Sequence, residues 1–184
     1  TCILDQTQVG VNAFLGGISK NFNTNVVIKS ESPWVVIEAD EFDRSFLTLY
    51  PTIALISAMD ADHLDIYGNK AEVEKAFAKF VGQVKTDGVV IIKKGVKLDH
   101  KANAGVRYYS YALDSEADFY AKNIHIENSE YVFDIVTPNG VIENVKLGMP
   151  ALYNVENAVA ATAVAMFAGA SENEIRFGLG GYAG

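Results

Sequence analysis

Cysteine, proline and basic side chains are all scarce in this chain of 184 residues. The one cysteine, Cys2, cannot form a disulfide within the chain, which suits a reducing cytoplasm. Fifteen Lys and Arg against 23 Asp and Glu give a net charge of −8, which argues against nucleic acid or an anionic membrane surface as the main partner. Four prolines and no repeat or low-complexity segment indicate a globular chain.

Long hydrophobic runs are also missing. The longest apolar run, residues 158–170, contains Thr162 and is shorter than the ~20 residues of a membrane-spanning helix. The N-terminus has neither a starting Met nor the basic and apolar segments of a signal peptide. Because residues 178–184 are also rich in glycine, we expect the chain to be a piece of a longer protein.

Short apolar runs and an amphipathic segment make up much of the first half of the chain. Residues 34–37, 52–57 and 88–92 have the composition of strands that are buried on both faces. Between the second and third runs, apolar residues recur at helical spacing: Val73, Ala76, Phe77, Phe80, Val81 and Val84. A strand, a helix and a strand in this order predict a parallel sheet with a right-handed crossover.

The second half has many tyrosines and a looser alternation of apolar and polar residues. Its predicted strands are residues 106–111, 119–126, 131–136 and 141–147. The sequence T-P-N-G between the last two is a hairpin signal, so we expect a small antiparallel sheet within residues 104–148.

Two helices are expected after this sheet. Residues 154–168 are apolar nearly all round, which predicts a buried helix, and Ser171 and Glu174 have the spacing of a capping box. The predicted fold class is therefore α/β: a single domain over residues 1–184 with a mostly parallel sheet, flanking helices and a small antiparallel insertion.

Acidic clusters follow two of the predicted strands, at the sheet edge where open parallel sheets bind ligands. Residues 38–44 are E-A-D-E-F-D-R, and residues 60–65 are D-A-D-H-L-D. Crowded carboxylates are costly unless a cation neutralises some of them. If the two strands are neighbours, Glu38 and His63 would face one pocket and hold Mg²⁺, or Mn²⁺, for which His is the better ligand. The alternative is that both clusters are helix caps and solvated turns, with His63 paired to its acidic neighbours.

Two further segments have groups that suit a phosphate, a sugar or a base. Residues 12–25 contain two adjacent glycines followed by Ser, Lys, Asn and Thr, which is either a ligand-binding loop or a glycine turn with a polar loop. Asn154 and Asn157 share one face of the predicted helix and either bind a base or ribose, or include a plain N-cap at Asn154. The sequence contains no Walker A, G-x-S-x-G or C-x-x-C motif.

Taken together, four motifs resemble the central domain of the Mur ligases. They are F-L-G-G-I-S-K-N at residues 14–21, E-A-D-E-F-D-R-S-F at 38–46, D-A-D-H-L-D-I-Y-G at 60–68 and N-V-E-N-A at 154–158. Each motif alone is weak, but four in this order are specific, and the resemblance extends over essentially the whole chain.

The resemblance implies an ATP-dependent amide ligase of peptidoglycan synthesis in the bacterial cytoplasm. ATP would phosphorylate the lactyl carboxylate of UDP-N-acetylmuramate, and the amine of L-alanine would attack the acyl phosphate to give an amide, ADP and phosphate. The protein would align these substrates and neutralise developing charge with Mg²⁺.

The family pattern also implies site residues. The catalytic residues would be Glu38, His63, Asp62 and Arg44, of which Glu38 and His63 would bind the metal. The nucleotide contacts would be Asn154 and Asn157. The UDP-sugar loop would contain Gly16, Gly17, Ser19, Lys20, Asn21, Thr24 and Asn25.

Some parts of the family pattern are absent from the sequence. The G-T-H-G-K-[ST] phosphate loop and an N-terminal domain would precede Thr1, and a C-terminal domain would follow Gly184, so we expect this piece alone to have no ligase activity. Tyr153 replaces a common His. Phe77, near Lys79, stands where other Mur ligases have a carbamylated lysine, which favours the alanine-adding branch.

Three other functions stay open at this point. A sibling enzyme that attaches recycled tripeptide to the same sugar nucleotide would release phosphate only with tripeptide. A divalent-metal hydrolase of phosphate esters would act through the acidic loops of the chain alone. A non-catalytic nucleotide-binding module would keep its function after Glu38→Ala and His63→Ala.

Overall fold

A computed structural model describes residues 1–29, 31–60, 64–99 and 103–184 of the chain. The chain divides into two compact units, the first made of Thr1–Glu38 and Tyr111–Gly184 and the second of Ala39–Ser110. Within the described ranges, no helix has the length and apolar character needed to cross a membrane.

Helices and strands alternate along much of the chain. The helices are α1 (Cys2–Asp5), α2 (Leu64–Tyr67), α3 (Lys70–Gly82), α4 (Leu152–Phe167) and α5 (Glu172–Gly180), with a 3-10 helix at Ser45–Thr48. The strands are β1 (Asn12–Ser19), β2 (Thr24–Val27), β3 (Val35–Ile37), β4 (Ile53–Ile56), β5 (Val89–Lys93), β6 (Arg107–Ala112), β7 (Phe119–Glu127), β8 (Glu130–Thr137) and β9 (Gly140–Leu147).

The second unit contains the predicted strand, helix and strand. Strand β4 pairs with β5 in parallel, with Ala54 beside Val90, and α3 connects them. The helix begins at the cap residue Asn69, whose side chain accepts a hydrogen bond from the Glu72 backbone N–H. Its buried residues include most of the predicted apolar stripe: Val73, Ala76, Phe80 and Val81. The prediction of a parallel crossover unit is confirmed.

The first unit contains a three-stranded sheet with the order β2-β1-β3. Strand β1 pairs with β2 in an antiparallel hairpin and with β3 in parallel. Gly16 and Gly17 therefore lie inside a strand, and the loop expected over residues 12–25 is reduced to the hairpin turn. The expectation that residues 34–37 are buried on both faces was wrong, since Val35 is 50% exposed. Alternate residues of this short strand point to solvent.

The remaining strands of the first unit follow β6, which begins in the second unit and ends in the first. Strands β7, β8 and β9 form an antiparallel meander, as expected from the hairpin signal. In contrast, β6 pairs with β7 in parallel, with Tyr111 beside Phe119. The last two residues of β6 pair with the first two of β7, so the connection between them is not a hairpin. The α/β class, with parallel strands, flanking helices and an antiparallel portion, is confirmed.

Helices α4 and α5 complete the first unit. Helix α4 buries Val155, Ala158 and Val159, in agreement with its predicted apolar surface. The predicted capping box at the start of α5 is present, because the Ser171 hydroxyl accepts from the Glu174 backbone N–H and the Glu174 carboxylate accepts from the Ser171 backbone N–H.

Candidate functional site

Glu38 follows the last residue of β3 and extends its pairing with β1. Its backbone N–H donates to the Phe14 carbonyl at 3.1 Å, which carries the β1–β3 ladder one residue further. The side chain turns toward the same neighbouring strand, where Oε2 accepts a hydrogen bond of 2.8 Å from the Gly16 backbone N–H. The carboxylate is therefore held at a strand end, exposed to solvent, in a position and with a chemistry suited to a divalent cation.

The hairpin turn after β1 contacts the last residues of the chain. The Asn21 side-chain amide donates to the Gly181 carbonyl at 2.6 Å, and its oxygen accepts from the Ala183 N–H at 2.8 Å. The Lys20 backbone N–H donates to the Gly184 carbonyl at 2.6 Å. Both ends of the Asn21 amide thus hold residues 181–183, a contact that sequence spacing alone did not indicate.

The two asparagines of α4 differ in their environment. The N-cap of the helix is Ala151, so the interpretation of Asn154 as a cap was wrong. Asn154 is 6% exposed and donates from its amide to the Pro150 carbonyl at 3.0 Å. Asn157 is exposed on the helix surface, and Tyr153 is 65% exposed. Of the two amides, Asn157 offers the accessible one to a ligand.

In the second unit, the acidic residues after Glu38 form local turns. Asp40 Oδ1 accepts from the Phe42 N–H at 2.9 Å, and Asp43 Oδ1 accepts from the Ser45 N–H at 2.8 Å. Hydrogen bonds from the Ser45 hydroxyl and backbone lower the pKa of Asp43. These two carboxylates therefore fit the alternative of solvated turns better than that of metal ligands.

Arg44 ends this acidic stretch and packs on α2. It adopts a left-handed backbone conformation, with φ of 62°, and its guanidinium lies 4.8 Å from the centre of the Tyr67 ring. Its Nη2 donates to the Ile66 carbonyl at 3.2 Å. The Tyr67 hydroxyl in turn donates to the Glu41 carbonyl at 2.6 Å, and burial raises the pKa of this phenol. These contacts indicate that Arg44 stabilises the second unit.

A cavity of about 190 Å³ opens beside the carboxyl end of β4 in the second unit. Phe77 lies on its wall, and the Phe77 and Phe46 rings are 5.4 Å apart. Polar groups of Glu41, Ser57 and Asp60 also line it. The position expected to replace a carbamylated lysine therefore contributes an aromatic surface.

The predicted metal pair is Glu38 and His63, and His63 lies outside the described residues, as does Asp62. Strand β3, which precedes Glu38, pairs with β1 in the first unit, and β4 pairs with β5 in the second. Within residues 1–29, 31–60, 64–99 and 103–184, no three His, Cys, Asp or Glu side chains form a group that could hold a metal. Glu38 alone represents the predicted donor set there.

The described part of the chain is an α/β structure with polar groups after the carboxyl ends of strands, where open parallel sheets commonly bind ligands. The model of the Mur ligase middle domain matches residues 12–165, and the chain belongs to the Mur ligase family.

Relatives and solved structures agree with this family. The UDP-N-acetylmuramate–L-alanine ligase of Phocaeicola vulgatus is 47% identical over 182 residues, which are 99% of this chain and 40% of that protein. The crystal structure of UDP-N-acetylmuramate–alanine ligase from Thermotoga maritima matches with a TM-score of 0.82 at 21% identity, over 100% of this chain and 41% of that one. The UDP-N-acetylmuramate:L-alanyl-gamma-D-glutamyl-meso-diaminopimelate ligase from Neisseria meningitides has a TM-score of 0.81 at 20% identity, over 100% of this chain and 60% of that one.

The chain thus spans about 40% of the length of the curated relative. The two solved structures are too distant in sequence to distinguish one substrate from another, and they support the fold.

Proposed function

We propose that this chain is the middle domain of an ATP-dependent ligase that joins L-alanine to the lactyl carboxylate of UDP-N-acetylmuramate. The observation that carries the proposal is 47% identity, over 99% of this chain, to a protein named for that reaction. The setting would be peptidoglycan synthesis in the bacterial cytoplasm, with ATP as co-substrate and Mg²⁺ as the metal.

The exposed carboxylate of Glu38 supports this proposal because a hard divalent cation prefers oxygen ligands. When bound, Mg²⁺ supplies positive charge that stabilises a transferring phosphoryl group. Glu38 would hold the ion at the end of β3, and the Gly16 N–H would fix the orientation of the carboxylate. His63 stays the second proposed metal ligand, and Asp62 stays a proposed supporting residue. Both lie outside the described ranges.

The α4 surface would carry the nucleotide. Asn157 is the exposed amide there, whereas the buried Asn154 amide donates to the backbone at the start of the helix. We therefore propose that Asn157 makes the direct contact and that Asn154 shapes the helix end on which it lies. The proposed contacts of the UDP-sugar stay Gly16, Gly17, Ser19, Lys20, Asn21, Thr24 and Asn25.

The test is phosphate release by the full-length protein with ATP, Mg²⁺ and UDP-N-acetylmuramate, comparing L-alanine with tripeptide as the amine. Release that depends on L-alanine supports the proposal. Release only with tripeptide would assign the protein to the recycling branch, and amine-independent release of phosphate from simple esters would favour a metal hydrolase. Run alongside, the 184-residue chain is expected to release no phosphate.

A further inference from the structure

The two adjacent glycines of β1 differ sharply in their surroundings. A Cβ placed on Gly16 would lie 2.6 Å from Oε1 and 2.8 Å from Cδ of Glu38, whereas a Cβ on Gly17 would meet nothing within 4 Å. Side-chain carbons do not approach other atoms this closely, so any residue but glycine at position 16 would displace the carboxylate.

Backbone conformation does not explain this glycine. Neither Gly16 nor Gly17 has a positive φ, and both lie in a strand that pairs with neighbours on its two sides. The requirement at position 16 is therefore one of space, and the atoms that take up this space belong to Glu38. The hydrogen bond of 2.8 Å from the Gly16 N–H to Oε2 occupies the same gap.

We propose that Gly16 is a positioning residue for the Glu38 carboxylate, acting through its N–H and through its missing side chain. The inference rests on the proposed function, in which Glu38 is a metal ligand, and it assigns Gly16 a task that differs from sugar contact. A hydrogen bond to a charged carboxylate is strong, and holding one oxygen limits the rotamers of the Glu38 side chain and so fixes the position of the other oxygen. A preformed ligand loses less conformational entropy when a cation binds.

The experiment compares Gly16→Ala with Gly17→Ala in the full-length protein. Partners that orient a metal ligand typically contribute about 10- to 100-fold in metal affinity. We expect Gly16→Ala to weaken Mn²⁺ binding, measured by electron paramagnetic resonance, by about tenfold or more. The Mg²⁺ concentration for half-maximal phosphate release should rise in parallel. Gly17→Ala is the matched control and should keep the wild-type metal affinity, because its new Cβ meets nothing within 4 Å. As Gly17 is a proposed sugar contact, this variant should act only on the KM for UDP-N-acetylmuramate.

A second pair of variants covers the case in which Gly16→Ala folds poorly. Glu38→Ala removes the carboxylate that the new Cβ would strike, so adding Gly16→Ala to Glu38→Ala should leave the melting temperature unchanged. Glu38→Asp shortens the side chain, and Gly16→Ala should cost less Mn²⁺ affinity in that background than in the wild type.

Equal Mn²⁺ affinities for the two alanine variants would overturn the inference, as would a Gly16→Ala folding defect that persists in the Glu38→Ala background. The proposed function fails separately. If the wild type shows no L-alanine-dependent phosphate release, the substrate assignment is lost, while the Mn²⁺ comparison still decides the role of Gly16.

Discussion

Glu38 in the first unit differs from Asp40 and Asp43 in the second in the kind of partner that its carboxylate has. In the first unit, the Glu38 side chain receives its hydrogen bond from Gly16, a residue 22 positions earlier and on a neighbouring strand. In the second unit, Asp40 and Asp43 accept from backbone N–H groups two residues later in the same turn. A carboxylate bound across strands is oriented by the sheet, whereas one bound within its own turn serves to form that turn.

Acidic residues that are close together in sequence can therefore have different structural roles. What distinguishes them is whether the hydrogen-bond donor lies in the same turn or on a neighbouring strand. The comparison is tested by removing each kind of carboxylate in turn.

The largest effect is expected from Glu38→Ala in the full-length protein. Removing a proposed metal ligand should lower L-alanine-dependent phosphate release by about 100-fold or more. Asp43→Asn is the matched control because Asn keeps the oxygen that accepts from Ser45, and its rate should stay within about twofold of the wild type, as is usual for surface substitutions. Similar losses in both variants, measured as kcat/KM, would remove the distinction between the two kinds of carboxylate.

A carboxylate buried in the first unit gives the next largest effect. Asp134 is 9% exposed on β8 and accepts from the Asn144 N–H at 2.9 Å and from the Asn123 amide at 2.7 Å. Both asparagines have a positive φ and lie at irregularities of the neighbouring strands. Asp134 accepts through both carboxylate oxygens, whereas Asn has one oxygen, so Asp134→Asn loses one of the two hydrogen bonds and the charge that strengthens the other. The variant should destabilise the β7–β9 meander by about 2 kcal/mol at neutral pH.

The pH dependence of this effect has a definite sign. Burial opposes ionisation of Asp134, but the hydrogen bonds from Asn144 and Asn123, together with the positive charges of Lys122 and His125, outweigh it, and the pKa lies below its ordinary value of about 3.9. The stabilisation is therefore present above that ordinary value and is lost as the pH falls through the lower pKa of the folded state. Hydrogen exchange of peptides from β8 and β9 should show acid-induced opening in the wild type and a weaker pH dependence in Asp134→Asn. An unchanged pH profile in the variant would contradict this account.

Arg44 should produce a smaller, purely structural effect. Its guanidinium lies over Tyr67 and donates to the Ile66 carbonyl, so Arg44→Ala should destabilise α2 by about 1 kcal/mol. Hydrogen exchange of peptides that contain residues 64–67 measures this directly. Arg44→Lys keeps the charge and should recover part of the protection. A loss of kcat with normal exchange in Arg44→Ala would instead support the catalytic role that the family resemblance implies.

Much of the fold follows from local patterns. The parallel β4–α3–β5 unit, the hairpin between β8 and β9 and the capping box of Ser171 and Glu174 each have a signature within their own segments. The parallel pairing of β6 with β7 has no such signature, because residues alternate in the same way in parallel and antiparallel strands. The position of Gly16 inside β1 was missed because adjacent glycines and polar residues are typical of a loop.

The candidate site was predicted to a smaller extent. Motif resemblance predicts Glu38 as a metal ligand, and this stays a prediction. Neither spacing nor resemblance showed that Gly16 contacts Glu38 or that Asn21 holds residues 181–183. Both contacts join segments far apart in the chain. The roles of Asp62 and His63 stay predictions, since these residues lie outside the described ranges.

The smallest effect concerns a buried polar group of the first unit that contrasts with Asp134. Thr162 on α4 is fully buried, and its hydroxyl has no hydrogen-bond partner among the described residues. An unsatisfied hydroxyl in an apolar site costs free energy, whereas a valine of similar shape does not. Thr162→Val should therefore raise the free energy of unfolding by about 0.5 to 1 kcal/mol, or about 1 to 4 °C in melting temperature for a chain of this size. Thr162→Ala, which also removes the hydroxyl but leaves a small void, separates the two contributions: if both variants melt below the wild type, the hydroxyl has a partner in solution, and the contrast with Asp134 fails.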